Sequence, residues 1–227
     1  VDSFHNFDKK DLLKRFEEDL RHALDSKISL NPILNSFQYT VHQNNIHQEL
    51  IDAFLKSMNM DLHKQKYNSK EEYQEYIYGS ADVVGLMCLN VFLEGDNDGY
   101  KQLKPQAMAL GSAFQKVNFL RDLNADFKEL DRTYFPNLDL SDFNEKSKAS
   151  IIEEIEKDFD LALEGIFMLP KSARLGVYTA YKYYRKLLVK LKNTPSRKIQ
   201  SARIRVPNYQ KMGVLAQSYL KFHLNLL

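Results

Sequence analysis

Cysteine, glycine and proline are all scarce in this chain of 227 residues. Its single cysteine, Cys88, lies in an apolar run, so the chain can form neither an internal disulfide bond nor a cysteine-based metal site. A reducing compartment is the simplest interpretation, and we expect a cytoplasmic protein. With 8 glycines and 6 prolines, few residues interrupt helices, and this composition favours long helices with short connections.

The chain also lacks a large excess of charge of one sign. Its formal net charge is +2, which argues against a nucleic-acid-binding protein, because such proteins are usually far more basic. Its longest apolar run, residues 83–93, is interrupted by Gly85 and Asn90 and is too short to span a bilayer. No signal peptide is visible. We therefore expect a soluble protein, or a peripheral protein held at a membrane surface.

Histidine motifs are absent as well. The 6 histidines are scattered, and none forms an H-x-x-x-H or H-E-x-x-H pattern, so the sequence does not support a zinc hydrolase. What the chain does have is 44% hydrophobic residues, enough for a sizeable core. Its length suits one domain or two small ones.

Apolar residues recur at helical spacing along most of the chain, which predicts an all-α fold. The predicted helices span residues 8–25, 46–60, 76–93 and 173–192, and others begin at Asn31-Pro32 and near residue 146. Asp8 is a predicted N-cap, and Ser69 to Glu72 reads as a capping box. In the helix over 173–192 a stripe of tyrosines is predicted to lie in the hydrophobic core, with one tyrosine hydroxyl able to reach the functional site.

One stretch, QKVNFLRDLNADFKELDRTYFP at residues 115–136, carries the pattern most suggestive of chemistry. Asp122 and Asp126 are four residues apart, which on a helix places both carboxylates on one face. Gln115 and Asn118 extend the same stripe, and apolar residues occupy most of the remaining circumference. The helix is therefore predicted to be mostly buried, with its acids facing inward.

Two unpaired carboxylates in such a place repel each other and lose hydration, which a cation can offset. A hard divalent ion with oxygen ligands fits that demand, Mg²⁺ above all, with Mn²⁺ as a substitute. The alternative is that Asp122 and Asp126 are solvated acids on an ordinary amphipathic helix. A bare D-x-x-x-D favours that alternative.

The wider context favours the metal. The strings N-F-L-R-D-L-N-A-D and R-T-Y-F-P closely resemble the second aspartate-rich motif of the squalene and phytoene synthase family, Q-x-x-N-x-L-R-D-x-x-x-D followed by R-x-Y-x-P. The match fixes Gln115, Asn118, Leu120, Arg121, Asp122, Asp126, Arg132, Tyr134 and Pro136 together. The resemblance implies metal binding by Asp122 and Asp126, catalysis with Arg121, and substrate binding by the other polar members.

A second resemblance lies upstream, in YIYGSADVVG at residues 76–85. It is similar to the family's Y-x-Y-x-x-A-x-x-V-G signature, whose tyrosine, alanine and glycine positions line a hydrocarbon tunnel. The resemblance thus implies a catalytic Tyr78 and substrate contacts from Tyr76, Ala81 and Gly85. From the residues alone, the glycine fits a close helix crossing equally well. Two positions depart from the pattern, Ser80 and Asp82, and a buried Asp82 would need a partner such as metal or Arg121.

Two further positions come from the resemblance. Family members carry a first D-x-x-x-D motif near the N-terminus, and Asp2 stands where its last aspartate would be, which implies a third metal ligand. We therefore expect residues 1–227 to form a single helical domain that lacks the family's first helices. The alternative is that Asp2 is merely a polar terminus. Near the C-terminus, S-A-R-I-R-V-P resembles the family's R-x-R-V, which implies that Arg203 lies near a diphosphate.

The resemblance implies the isoprenoid synthase fold, an antiparallel helix bundle around a central cavity, and head-to-head condensation of two prenyl diphosphates with Mg²⁺. Condensation of two geranylgeranyl diphosphates to phytoene is the first expectation. The alternatives are a squalene or dehydrosqualene synthase using two farnesyl diphosphates, with NADPH needed only for squalene, and a non-catalytic helical relative that acts as an assembly factor.

Overall fold

The computed structural model of the chain describes residues 6–130, 132–136, 138 and 143–227, and of residues 128–130 only the backbone. The predicted all-α class is confirmed. The α-helices are α1 Lys9–Ser26, α2 Pro32–Gln43, α3 Gln48–His63, α4 Lys70–Ile77, α5 Val83–Phe92, α6 Asn97–Leu130, α7 Glu145–Met168, α8 Lys171–Lys192, α9 Ser196–Ile199 and α10 Asn208–His223. No helix in the described part of the chain is both long and apolar enough to cross a membrane.

The helix starts follow the sequence signals closely. The Asp8 carboxylate accepts hydrogen bonds from the backbone N–H groups of Lys10 and Asp11, at 2.9 and 3.1 Å, as predicted for an N-cap. Only half of the predicted capping box forms. The Ser69 hydroxyl accepts from the N–H of Glu72, but the Glu72 carboxylate accepts from the N–H of Asn68 instead of returning to Ser69.

The helix predicted over residues 76–93 is not continuous. A π-helical turn, Tyr78–Asp82, separates α4 from α5. The extra residue in this turn changes which way the side chains face. A Cβ atom on Gly79 would lie 2.5 Å from the carbonyl oxygen of Ala53 in α3, so the turn packs tightly against that helix. π-Helical turns of this kind often occur at functional sites.

The 34-residue helix α6 is central to the bundle and packs against α5, α7 and α8. Its crossing with α5 is unusually close. A Cβ atom on Gly85 would lie 2.7 Å from the carbonyl oxygen of Ala107, and one on Gly111 would lie 2.6 Å from that of Ala81. Helix crossing is therefore one real reason for glycine at position 85.

Two hydrophobic clusters fill the bundle. One lies among α1, α2, α3 and α5 together with the start of α6. The other joins the second half of α6 to α7, α8 and the segment before α10. The segment that follows α6 is tied back to the α3–α4 connection by a parallel bridge, in which the N–H of Thr133 donates to the carbonyl of Gln65 at 2.9 Å.

Candidate active site

The carboxylate of Asp122 lies between two arginine side chains. Its Oδ1 accepts from Nε of Arg121 at 2.9 Å and from Nε of Arg203 at 2.7 Å. The expectation of two unpaired carboxylates is therefore wrong for Asp122. Arg203 comes from the segment before α10, which crosses this end of α6, and helical spacing cannot reveal such a contact between distant parts of the chain.

The second acid, Asp126, lies one turn further along α6 on the same face. Burial and, next, the negative charge of Asp122 raise the pKa of Asp126 to about 6, although Arg132, Arg121 and Arg203 act in the opposite direction. We refer to Asp122 and Asp126 as the acidic pair. Burial of Asp126 beside a second carboxylate therefore disfavours its ionised form, despite the arginine neighbours.

Basic side chains surround a cavity beside the acidic pair. This basic cavity has a volume of about 510 Å³, and its lining includes Arg121, Arg203, Arg205 and Lys211 together with Tyr183. Among the described residues, no acidic side chain is part of that lining. Several fixed positive charges around one opening form a binding site for an anion with several charged oxygens, such as a diphosphate.

A second, larger cavity extends away from the acidic pair between the π-helical turn, α5, α6, α7 and α8. This apolar cavity has a volume of about 610 Å³. Ala81 and Gly85 line it, as the sequence resemblance implied for a hydrocarbon tunnel, and Gln115 of the aspartate-rich motif lines it as well. Gln115 is one of its few polar residues, and its Nε2 lies 3.5 Å from Oγ of Ser80. A cavity of this size and character suits a long apolar ligand.

An aromatic pair connects the apolar cavity to the polar stripe of α6. Phe114, which lines the cavity, stacks on Tyr184 of α8 with ring centroids 4.0 Å apart. The Tyr184 hydroxyl in turn donates to Oδ1 of Asn118 at 3.4 Å. The predicted tyrosine stripe of α8 therefore does bring one hydroxyl to the site. Aromatic faces at this position could stabilise a nearby cation.

Three residues expected to bind substrate lie together in a buried cluster. The Tyr76 hydroxyl donates to Oδ1 of Asp61 at 2.8 Å, and Nη2 of Arg132 donates to the Asp61 carbonyl at 2.8 Å. Nη1 of Arg132 donates to the Tyr134 hydroxyl at 3.2 Å, and Tyr134 stacks on Phe119 at 3.9 Å. Neither cavity counts Tyr76, Arg132 or Tyr134 among its lining residues. Their contacts position the segment after α6, and direct substrate binding stays a prediction.

Tyr78 and Asp82 face in directions that the sequence could not reveal, because the π-helical turn rotates them. Tyr78 is half-buried against the α3 side of the bundle, where the charge of Glu49 helps burial to raise its pKa. Asp82 faces Lys116 and Asp158 instead of Arg121 or the acidic pair. Burial raises the pKa of Asp82 to about 7, and its Oδ1 has no hydrogen-bond partner among the residues that the structure describes.

Comparison with known proteins identifies the family. The family model described as squalene/phytoene synthase matches residues 1–210. The chain belongs to the squalene/phytoene synthase family. Over 186 residues it is 31% identical to a phytoene synthase of Arthrospira platensis, covering 71% of this chain and 60% of that protein. Over 165 residues it is 25% identical to a 4,4'-diapophytoene synthase of Staphylococcus haemolyticus, covering 64% of this chain and 55% of that protein.

Solved structures with the same fold include a dehydrosqualene synthase in complex with a ligand. That protein has a TM-score of 0.79 at 20% identity, with 97% of this chain and 82% of the other covered. A squalene synthase, HpnC of Alicyclobacillus acidocaldarius, has a TM-score of 0.64 at 19% identity, with 96% and 76% covered. The predicted isoprenoid synthase fold is confirmed. The chain spans three fifths or less of the length of the Arthrospira and Synechocystis phytoene synthases, at 60% and 54%.

The residues of this squalene/phytoene synthase family member fit a magnesium ion at the acidic pair. Mg²⁺ is typically held by one or two carboxylates, with waters and phosphate oxygens as the other ligands. Asp122 and Asp126 supply such carboxylates on one face of α6, and a bound cation would favour the ionised form of the buried Asp126. Among the described residues, no group of three or more His, Cys, Asp or Glu side chains could hold a metal. Asp2, the expected third ligand, lies outside the described residues.

Sequence reasoning missed two residues of the basic cavity. Arg205 and Lys211 belong to a basic run with Arg197, Lys198 and Arg203, and only Arg203 matched a position expected near a diphosphate. The structure shows that Arg205 and Lys211 line the same cavity as Arg121. Arg205 lies in the irregular segment before α10, and Lys211 lies near the start of α10. No periodic pattern predicts that these two residues line a cavity with a residue of α6.

Proposed function

We propose that this chain carries the active site of an enzyme that joins two prenyl diphosphates head to head. The proposal is supported by one arrangement above all, in which a single helix leads from the apolar cavity to the basic cavity. Gln115 of α6 lines the apolar cavity, and Arg121, about 9 Å further along the axis, lines the basic one beside the acidic pair. A prenyl diphosphate has the same polarity, an apolar chain with a charged end.

In the proposed mechanism, the side chains of the basic cavity bind and orient the substrate's diphosphate. Bound Mg²⁺, or Mn²⁺ in its place, would be held by Asp122 and Asp126 and would supply positive charge to the departing group. Arg121 and Arg203 hold the diphosphate while the allylic C–O bond breaks, and the bonding electron pair leaves with it. The guanidinium fork of each arginine matches phosphate oxygens geometrically.

The allylic cation left behind is then attacked by the double bond of the second prenyl diphosphate. A new carbon–carbon bond forms, and loss of a proton gives a cyclopropylcarbinyl diphosphate. A second ionisation releases the remaining diphosphate, and rearrangement with loss of another proton yields the hydrocarbon. The aromatic pair of Phe114 and Tyr184 offers π faces to the cationic intermediates, and the apolar cavity excludes water that would otherwise trap them.

Two geranylgeranyl diphosphates are the proposed substrates and phytoene the proposed product. This choice follows the relatives, among which the Arthrospira and Synechocystis proteins are named phytoene synthases at 31% and 30% identity. Farnesyl diphosphate is the competing substrate, and a squalene product would require NADPH in addition. We further propose that the protein works in the cytoplasm at the surface of a membrane, because its substrate and product are strongly apolar.

A second candidate function is a non-catalytic helical relative that acts as an assembly factor. One observation favours it, namely that the described residues supply two carboxylates close together at the site and no third. A helical scaffold with two acids would still bind an anionic partner through the basic cavity but would not ionise a prenyl diphosphate efficiently.

The test is product analysis by mass spectrometry. The protein expressed from its complete gene is supplied with C15 or C20 prenyl diphosphate and Mg²⁺, with and without NADPH. A C40 hydrocarbon from the C20 substrate, independent of NADPH, supports the proposal. A C30 product would replace the proposed substrate, and no product from either substrate would favour the assembly factor. In the same assay we expect Arg203→Lys to form less product. Arg197→Lys is its matched control, because Arg197 is in the same basic run but lines neither cavity.

A further inference from the structure

The carboxylate of Asp122 is saturated by hydrogen bonds from two arginines. Its Oδ1 accepts from Nε of Arg121 at 2.9 Å and from Nε of Arg203 at 2.7 Å. Its Oδ2 accepts from Nη2 of Arg203 at 3.2 Å and also from Nη2 of Arg121. A carboxylate offers about four lone-pair sites, and four guanidinium N–H groups occupy them here. A metal ion can therefore bind Asp122 only if an arginine gives up its place.

This occupation weakens the acidic pair as a metal site in the free protein. Mg²⁺ is usually held by one or two carboxylates together with phosphate oxygens, and it gives up its waters reluctantly. With Asp122 occupied, Asp126 is the remaining carboxylate of the acidic pair. Without a bound diphosphate, the site also lacks phosphate oxygens. We therefore expect the free protein to bind a divalent ion weakly at this position.

The two arginines that hold Asp122 are also part of the lining of the basic cavity. An anion that enters this cavity competes with Asp122 for the same guanidinium groups. A diphosphate competes well, because it offers more charged oxygens than one carboxylate does and arginine binds phosphate through paired hydrogen bonds. Transfer of an arginine to the anion frees Asp122 when phosphate oxygens become available to a metal. Anion and metal would thus favour each other's binding.

The side chain of Arg203 can move while its backbone stays in place. The side chain is 48% exposed and lines the basic cavity. The segment that carries it is anchored, because Ile204 and Val206 are buried and the carbonyl of Arg205 accepts a hydrogen bond from Nζ of Lys190 at 2.6 Å. A change of side-chain rotamer alone can therefore carry the guanidinium group from the acidic pair into the cavity.

We propose that Arg203 blocks metal binding at Asp122 in the free protein, and that Asp122 becomes available only when a diphosphate group draws Arg203 away. The metal arrives with the diphosphate or after it. This inference rests on the proposed function, because it assigns an order of binding to the same site. The contact also assists release. Once the diphosphate leaves, Arg203 returns to Asp122 and the metal loses a ligand.

Calorimetry with inorganic diphosphate and with Mn²⁺, each alone, tests the proposal without a prenyl substrate. The protein from its complete gene is titrated with diphosphate in EDTA, or with Mn²⁺ in phosphate-free buffer. We expect it to bind diphosphate in EDTA and to bind Mn²⁺ alone weakly. Arg203→Gln should bind Mn²⁺ alone about tenfold more tightly or better, because it removes charge-assisted hydrogen bonds that compete for Asp122. Adding Asp122→Asn to Arg203→Gln should remove that gain.

Arg205→Gln is the matched control for the loss of charge. Arg205 lines the same cavity, but among the described residues the hydrogen-bond donors to Asp122 are Arg121 and Arg203. Arg205→Gln should therefore raise the affinity for Mn²⁺ alone much less than Arg203→Gln does. Circular dichroism checks that each variant keeps its helix content. An equal gain in the two variants, or no gain in Arg203→Gln, would overturn the proposal.

One further outcome needs no arginine variant. Tight binding of Mn²⁺ alone by the unmodified protein, lost in Asp122→Asn, would also overturn the proposal, because it would show that Asp122 is open to metal in the free protein. None of these measurements depends on turnover. A protein that forms hydrocarbon yet binds Mn²⁺ alone tightly at Asp122 would disprove the order of binding and leave the proposed function intact.

Discussion

Arg203 and Asp122 are 81 residues apart in the sequence, yet Nε of Arg203 lies 2.7 Å from Oδ1 of Asp122. This contact joins the segment before α10 to the middle of α6 and completes the basic cavity beside the acidic pair. Because Asp122 also accepts a hydrogen bond from Arg121, a metal ion bound at the acidic pair would have to share this carboxylate with the two arginines. Diphosphate binding would draw both guanidinium groups towards the phosphate oxygens and leave Asp122 to the metal.

The acidic pair is predicted to be essential for turnover but not for folding. Asp126→Asn removes a metal-ligand charge with little change in shape, so we expect a rate loss on the order of 10²-fold or more at saturating Mg²⁺. Asp122→Asn should behave similarly. The measurement is diphosphate release, with thermal unfolding as the control for stability. Near-normal rates in both variants would show that the metal is bound elsewhere.

Arg121 and Arg203 are predicted to act through the geometry of their guanidinium groups. Arg121→Lys and Arg203→Lys keep the positive charge but lose the planar fork, so each should retain partial diphosphate binding and lose rate. Binding of inorganic diphosphate by calorimetry separates the two effects. If the rate of Arg121→Lys equals that of the Arg197→Lys control, then Arg121 does not contact the substrate.

Two glycines that line the apolar cavity should respond in opposite ways to alanine. Gly85→Ala places a Cβ atom 2.7 Å from the backbone carbonyl oxygen of Ala107, which cannot move without shifting α6, so we expect a loss of about 1–3 kcal/mol in the free energy of unfolding. At Gly176 an added Cβ would meet no atom of the described residues within 4 Å, so Gly176→Ala should stabilise α8 by about 0.5–1 kcal/mol. Urea denaturation compares the two. Equal effects would mean that the close crossing of α5 and α6 is not tight in solution.

Asp82 is predicted to make stability depend on pH. Its pKa is raised from 3.8 to about 7 in the folded protein, chiefly by burial, so the folded state holds this proton more tightly than the unfolded state. The free energy of unfolding therefore falls as pH rises from the ordinary pKa of 3.8 through the folded pKa of about 7. The positive charge of Lys116 offsets part of the cost of ionising Asp82. Asp82→Asn should raise the free energy of unfolding at pH 8 by on the order of 2 kcal/mol, and by much less at pH 5.

Denaturation of both proteins at the two pH values checks the Asp82 prediction. The difference between variant and unmodified protein is the quantity to follow, because Asp158, whose pKa is also raised by burial, titrates in both. An advantage of Asp82→Asn that is the same at pH 5 and pH 8 would contradict the raised pKa.

Sequence reasoning identified the features that local spacing controls. The four-residue spacing of Asp122 and Asp126 predicted one face of a helix, and Asp8 predicted a helix start. It failed where distant segments meet or where the backbone departs from regular geometry. The π-helical turn Tyr78–Asp82, within which Gly79 packs closely against α3, interrupts a helix that apolar spacing predicted to be regular.

The same limit applies to two arginines of the family motifs. Arg132 and Arg203 both matched family positions, but the sequence could not distinguish their surroundings. Arg132 is buried against Asp61 and Tyr134, whereas Arg203 reaches the acidic pair. Arg132 lies next to the parallel bridge between Lys66 and Thr133, and Arg203 lies in the irregular segment before α10. Neither feature leaves a periodic signal in the sequence.

The most direct test of the proposed reaction is a paired measurement of diphosphate release and hydrocarbon product from the C20 prenyl diphosphate, in Mg²⁺ and in EDTA. Our account predicts two diphosphates released for each C40 hydrocarbon formed in Mg²⁺, no product in EDTA, and loss of both signals together in Asp126→Asn. Product formation that persists in EDTA or in Asp126→Asn would contradict it.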